Sequence, residues 1–238
     1  MEGMTTKVLK FGGAALRDLE RVADLVVENR CERLVVVVSA MGDMTDHLME
    51  LARKVHPNPP KREQDMLISV GERISMALLA MALEKRGVKA LSLTGSQSGV
   101  MTCTGHGEAE IVEVRTKRVE RHLDEGNVVI VAGFQGVSLE GEITTLGRGG
   151  SDTTAVALGA ALSAEEVIFY KDVAGIYSED PKKNAKAVLH KLLNYAEALE
   201  LCKTGGVIHP RAVRLAEKTN LKLAISSYSE NCVGTVIE

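Results

Sequence analysis

The stretch Leu146 to Gly159, LGRGGSDTTAVALG, sets three glycines, Arg148, Ser151 and Asp152 directly ahead of an apolar run. Ala155, Leu158 and Leu162 recur at i, i+3 and i+7. That spacing predicts a loop feeding a helix that starts near Ser151, with Ser151 or Asp152 as its N-cap. The first turn of such a helix offers unpaired backbone N–H groups and the positive end of its dipole. Gly149 and Gly150 let a ligand reach that backbone without meeting a Cβ. Arg148 adds a planar fork suited to a carboxylate or phosphate. The segment reads as an anion cradle with one acid, Asp152, set inside it; the alternative is a glycine-rich turn capping a core helix.

Three other places carry chemistry. Lys10 lies near the end of a short strand-like run, Lys7 to Phe11, that goes straight into Gly12 and Gly13. A glycine turn at a strand's carboxyl end lets amides meet phosphate oxygens, with Lys10 as a point charge on them. The GxxxxGK[ST] spacing of a P-loop is absent, so a surface lysine beside a tight turn fits equally well. Glu72 lies in Ser69-Val70-Gly71-Glu72-Arg73, inside an otherwise apolar helical pattern. If buried, it needs a cationic partner or a substrate ammonium group; if solvated, it pairs with Arg73 or a neighbour. Finally, Lys171 and Asp172 follow a strand pattern and precede Tyr177. They could hold a nucleotide, Lys171 on phosphate and Tyr177 beside base or sugar, or form a loop with ordinary surface charges. His106, between two glycines with no evident partner, reads as a loop residue.

The elements that must position these groups alternate. Strands are predicted at Lys7 to Phe11, Leu34 to Val38, Val88 to Leu93, Asn127 to Ala132, Glu166 to Tyr170, Lys222 to Ser226 and Thr235 to Ile237. Helices are predicted from Leu16 to Val26, Asp43 to Val55, Arg62 to Arg86, Thr116 to Glu125, after Ser151, Tyr195 to Cys202 and Arg211 to Lys218. Thr94 to His106 reads as a loop-rich patch of hydroxyls, or a solvated hairpin. The continuous β-branched run Leu34 to Val38 is of the kind buried in a parallel sheet, and it ends in the small-residue turn Ser39 to Gly42. Ligands of open α/β sheets sit beyond the carboxyl ends of strands, so this turn and Gly12-Gly13 are expected to share a site. The class is α/β with a mainly parallel sheet, as one large domain or two closely joined lobes.

Composition excludes other classes. With 29 Lys plus Arg against 32 Asp plus Glu, no Trp and 3% aromatics, there is neither a basic footprint nor a set of stacking platforms for nucleic acid. The longest apolar runs are short or interrupted, so a soluble, cytoplasmic protein without membrane contact is expected. Cys31, Cys103, Cys202 and Cys232 are scattered without CxxC or a His at ligand spacing, so neither disulfides nor a protein-held metal are expected.

Taken in order, KFGG (10–13), VVVVSAMGDMT (35–45), ISVGERISMALLAMAL (68–83), LTGSQSGVMT (93–102), LGRGGSDTTAVAL (146–158), YKDVAGIYSEDP (170–181) and HPRAV (209–213) resemble the catalytic domain of bacterial aspartate kinases, within the amino acid kinase superfamily. The resemblance covers nearly the whole chain. It implies a three-layer αβα sandwich, a single kinase domain over 1–238 with residues to about 145 serving the amino acid and 146–238 serving ATP, and an L-aspartate:ATP phosphotransferase. Residue by residue it implies Lys10 and Asp152 as catalytic. Ser39, Thr45, Glu72, Arg148, Gly149 and Ser151 would surround the amino acid, Glu72 taking its ammonium group and Arg148 its α-carboxylate. Lys10, Gly12, Gly13, Lys171, Asp172, Tyr177 and Lys182 would hold the nucleotide, which arrives with Mg2+. A homodimer is implied as well.

Departures from the family pattern are specific. Ala14 and Ala15 replace the usual Thr-Ser pair after KFGG, Ala174 replaces an acid in the nucleotide loop, Ser96 stands where a Trp is common, and Gly206 stands where a lysine often precedes the His-Pro pair. The chain ends at Glu238, where most aspartate kinases continue into paired ACT domains; from this, no regulatory domain and no sensitivity to lysine or threonine are expected. Competing readings are a related kinase for another carboxylate, carbamate or nucleotide acceptor, and a non-catalytic nucleotide-binding homologue.

Overall fold

A computed structural model describes residues 5–179, 184, 186–202, 207–230 and 232–238. The central sheet has eight strands: β1 (Thr6–Phe11), β2 (Arg33–Val38), β3 (Ala90–Leu93), β6 (Val128–Ala132), β9 (Glu166–Lys171), β10 (Leu192–Leu193), β11 (Leu223–Ser227) and β12 (Val233–Ile237). Their spatial order is β10-β12-β11-β9-β1-β2-β6-β3, parallel except where β12 runs against β11.

Side-chain alternation sorts the sheet into two faces. Val8, Val35, Val37, Val129, Val131 and Phe169 point into one core, closed by α5 (Lys117–Asp124), α6 (Gly150–Ala161), α7 (Tyr195–Cys202) and α8 (Pro210–Thr219). Leu9, Phe11, Val36, Val38 and Ile130 point into the other, closed by α1 (Leu19–Glu28) and α4 (Val70–Glu84). A strand such as β2, buried on both sides, must be apolar at every position, and a three-layer αβα sandwich results. Lys10 shares the face of Val8, so it points toward α6 and away from α1.

Three expectations need correction. The helix foreseen from Arg62 to Arg86 is two helices, α3 (Lys61–Ile68) and α4, separated at Ser69. There the Ser69 hydroxyl donates to the Met66 carbonyl at 3.2 Å, the acceptor a continuous helix would offer to Val70 N–H, and the Gln135 side-chain amide donates to the Ser69 carbonyl at 2.7 Å. Within the patch from Thr94 to His106, turns and loop flank one strand, β4 (Val100–Thr102), of a second, four-stranded sheet, β5-β4-β7-β8, completed by β5 (Ile111–Val114), β7 (Gln135–Ser138) and β8 (Ile143–Thr145). Its strands are short and carry Thr, Ser and Gly, so apolar alternation hardly marks them. The N-cap of α6 is Gly149, in the left-handed region at φ 70, rather than Ser151 or Asp152.

The stretch Lys61–Glu84 has the length and hydropathy to cross a membrane, but half of its most apolar window is buried in the fold. Met76, Leu79 and Leu83 pack into the α1-side core, which is where that hydrophobicity is used.

Candidate active site

The carboxyl ends of β1, β2 and β9 converge with the N-terminus of α6. The glycine turn after β1 and the turn after β2 touch: Ser39 N–H donates to Phe11 O at 3.2 Å and Gly42 N–H to Gly13 O at 2.9 Å. A Cβ on Gly13 would stand 2.6 Å from Ala40 O, so only glycine permits this approach. Together with the loop ahead of α6, these turns wall an open cleft of about 630 Å3. Lys10, Ser39, Thr45, Glu72, Arg148, Gly149, Ser151 and Asp152 all line it; Thr45 comes from α2 (Met44–Val55) and Glu72 from the first turn of α4.

At the floor, Lys10 Nζ lies 2.6 Å from Asp152 Oδ1, both side chains nearly sealed from solvent. Lys171, the last residue of β9, brings Nζ to 3.4 Å from Asp152 Oδ2. Burial alone would raise the Asp152 pKa, but the two lysines and the His209 N–H hold it below the usual carboxylate range. Lys171 is lowered to about 8, chiefly by burial and then by repulsion from Lys10, with Asp152 opposing. No side chain caps α6, and Gly150, Ser151 and Asp152 of its first turn line the same cleft.

The acceptor end differs in kind. Glu72 is buried and its Oε1 accepts the Ala40 N–H at 2.9 Å. Its Oε2 is buried without a hydrogen-bond partner among the described residues. Desolvation pushes its pKa up to about 7, against the pull of the Ala40 amide and Lys10. Arg148, exposed at the rim, has no ion-pair or hydrogen-bond partner among the described residues. One cleft is thus lined both by a buried acid with an unpartnered oxygen and by a guanidinium unpaired among the described residues.

Lys10, Glu72, Arg148 and Asp152 are therefore gathered as the sequence reading required. Gly12 adjoins the Lys10 ammonium, the position of its absent Cβ being 3.8 Å from Nζ. Lys171 meets the cleft through Asp152, whereas Asp172 and Tyr177 are not among the residues lining it; Tyr177 forms an isolated bridge with Leu189. Lys182, Lys203 and Gly206 lie outside the described residues. One reading is overturned: His106 does have an acidic partner, its Nδ1 lying 2.7 Å from Asp65 Oδ2. Asp65 itself escaped notice, although an acid three residues before Ile68 and seven before Glu72 sits on the inward face of that helical pattern.

Residues 5–227 match the amino acid kinase family. The chain belongs to that family. Among curated proteins it is similar to the aspartokinase of Geobacillus stearothermophilus, 52% identical over 237 residues, which are 97% of this chain and 58% of that protein. Among solved structures, the aspartate kinase of Synechocystis superposes with a TM-score of 0.85 at 44% identity, over 98% of this chain and 39% of that one. E. coli aspartokinase III in complex with aspartate and ADP gives 0.87 at 28% identity, over 98% of this chain and 64% of that one. The chain thus spans somewhat over half the length of the curated relative it matches, and within this family its cleft occupies the region that the shared kinase fold supplies.

Proposed function

We propose that the chain is an aspartate kinase unit, transferring the γ-phosphoryl group of ATP to the β-carboxylate of L-aspartate. One observation carries the reading: Glu72, with one buried oxygen free, and Arg148, with no partner among the described residues, share a cleft with the Lys10–Asp152–Lys171 cluster. A free amino acid supplies an ammonium group for Glu72 and an α-carboxylate for Arg148. An N-acetylated or nucleotide acceptor would leave Glu72 buried and unpaired, at a cost of roughly 1–3 kcal/mol or more. The identity to aspartokinases, and the aspartate and ADP bound in the E. coli relative, support the same substrates.

A carboxylate oxygen of aspartate attacks the γ-phosphorus, the bond to the β,γ-bridging oxygen breaks, and acyl phosphate and ADP result. The attacking carboxylate is already ionised near pH 7, so no general base is required. The difficulty is bringing two anions together. Lys10, the amides of the Gly12-Gly13 turn and the first turn of α6 supply positive charge, and Asp152 holds the Lys10 and Lys171 ammonium groups at the floor. Among the described residues no group of three His, Cys, Asp or Glu side chains can hold a metal. Mg2+ would arrive as part of the nucleotide substrate, held by phosphate oxygens and water and lending positive charge to the transferring group, and Asp152 on the cleft floor would be available to it as an acid.

In this reading residues to about 145, with Arg148, serve the amino acid, and 146–238, with Lys10, Gly12 and Gly13, serve ATP within one domain; Lys171, Asp172, Tyr177 and Lys182 contact the nucleotide. Its product feeds lysine and threonine biosynthesis in the cytoplasm. Assembly as a homodimer is supported by Val70, Ile74, Leu78 and Met81, large apolar side chains exposed along α4 at helical spacing.

The test is ADP release over a panel of acidic amino acids, with hydroxylamine trapping of any acyl phosphate. Aspartate-dependent ADP with matching hydroxamate is expected. Release that is independent of aspartate, or driven equally by N-acetylated acids, would refute the assignment.

A further inference from the structure

We infer that Asp65 is a positioning residue for Arg148, acting through Thr145 and the His106-Gly107 turn. The inference rests on the acceptor-site reading of the cleft. Asp65, on α3, is fully buried, and no lysine or arginine pairs with it among the described residues. Its charge is met instead by three short contacts. Thr145 Oγ1 donates to Oδ1 at 2.5 Å, Gly107 N–H donates to Oδ2 at 3.1 Å, and His106 Nδ1 lies 2.7 Å from the same Oδ2.

A carboxylate held at zero exposure is strongly disfavoured unless its oxygens are occupied, and here the occupying groups come from separate elements. Here it joins α3, the 106–107 turn and the end of β8. Thr145 is three residues before Arg148, and its carbonyl receives the Ala109 N–H at 2.9 Å. Gly147, at φ +70, sits against the 106–107 turn: a Cβ there would be 3.1 Å from Gly107 O. On the far side, Arg211 Nη1 donates to Leu146 O at 2.8 Å. Arg148 has no partner among the described residues to orient it, so its place is set by the backbone that carries it, and the near support of that backbone passes through Asp65.

Asp65, Gly107 and Thr145 also line the cleft. A carboxylate in the wall of a site for a dicarboxylate would repel its ligand. Three contacts on its two oxygens turn that charge away from the acceptor.

The test is steady-state kinetics on Asp65→Ala, Asp65→Asn, Arg148→Ala and the D65A/R148A double variant, with Thr145→Val as the milder lesion should D65A not fold. D65A is expected to raise the aspartate KM about tenfold or more with the ATP KM within about twofold, and T145V to shift the aspartate KM in the same direction. D65N should stay within about threefold, because its Oδ1 can accept from Gly107 and His106 while Nδ2 donates to Thr145 Oγ1. In the R148A background D65A should add less than about twofold, since two residues acting through one contact are not additive. Additive losses, equal rises in both KM values, or a D65N as impaired as D65A would overturn the inference.

Absence of aspartate turnover in the wild type would instead overturn the proposed function. Hydrogen exchange then decides for Asp65: D65A or T145V must speed exchange of the Ala109 and Leu146 amides, which bond Thr145 O and Phe134 O, while D65N leaves them protected. Unchanged protection in D65A or T145V would sink the inference on its own.

Discussion

Lys10 and Asp152 meet at 2.6 Å on the cleft floor, one from the end of β1 and the other from the first turn of α6. Both are nearly sealed from water, where a charge pair is held firmly and a lone charge is costly. The pair keeps the ammonium of Lys10 beside the Gly12-Gly13 turn, where the transferring phosphoryl group would develop its charge. Lys10→Ala is therefore expected to lower kcat by ~10² or more, on the scale of losing one preorganised donor. Turnover close to wild type in that variant would remove Lys10 from the chemistry.

Glu72 makes the stability of the fold depend on pH. Its pKa is raised to about 7 from an unfolded value of 4.5, mainly by desolvation. The unfolded chain gives up this proton first, so Glu72 costs the fold stability as pH rises from about 4.5 to 7, and the cost is complete above pH 7. At about 1.4 kcal/mol per pKa unit it amounts to a few kcal/mol. Glu72→Gln removes this slope: unfolding measured from pH 5 to 8 should flatten relative to wild type, while the aspartate KM rises at least tenfold. A variant as pH-sensitive as the parent would show that Glu72 is not the source.

Much of this cleft was legible before any coordinates, because its chemistry is written in contiguous blocks. Lys10 precedes a glycine pair, and Arg148 to Asp152 precede an apolar helical run; each block fixes its own local geometry, and parallel strands bring the blocks together. The all-apolar run of β2 announced a strand covered on both faces, and the bounds of α7 fell where the periodicity put them. What stayed hidden depends on contacts between distant segments. Asp65 and His106 are 41 residues apart, and nothing near either residue says they will meet. Gln135 reaches the Ser69 carbonyl, at the junction of α3 and α4, from 66 residues away. The small second sheet was missed because three- and four-residue strands of Thr, Ser and Gly show too little alternation to register.

Lys171 predicts an alkaline limb. With its pKa lowered to about 8, first by burial and next by Lys10, it begins to lose its proton within the working range of a kinase assay. Bound phosphate favours the protonated form, so the loss should show in kcat/KM for ATP, which reports the free enzyme, and much less in kcat. A fall in kcat/KM for ATP above about pH 8 is expected. Lys171→Arg, which stays charged, should move that limb beyond pH 9. An unchanged limb in the arginine variant would assign it to another group.

Gly149 is where the anion cradle is most exacting about its backbone. It caps α6 at φ +70, and a Cβ built on it would stand 2.1 Å from Cγ of the His209 ring. Gly126 has a similar φ of +79 with nothing within 4 Å of its virtual Cβ. The two positions separate strain from collision. Gly126→Ala should cost about 1–2 kcal/mol, the penalty for an L-residue in the left-handed region. Gly149→Ala carries the same strain and must also push the His209 ring aside or shift the start of α6, which moves Arg148 and the first-turn amides together. It should therefore lose clearly more stability than Gly126→Ala and raise the KM of both substrates, while Gly126→Ala leaves both within about twofold. Equal losses of stability in the two variants, with kinetics intact in each, would show that the His209 contact yields freely and that the cradle tolerates a side chain at its cap.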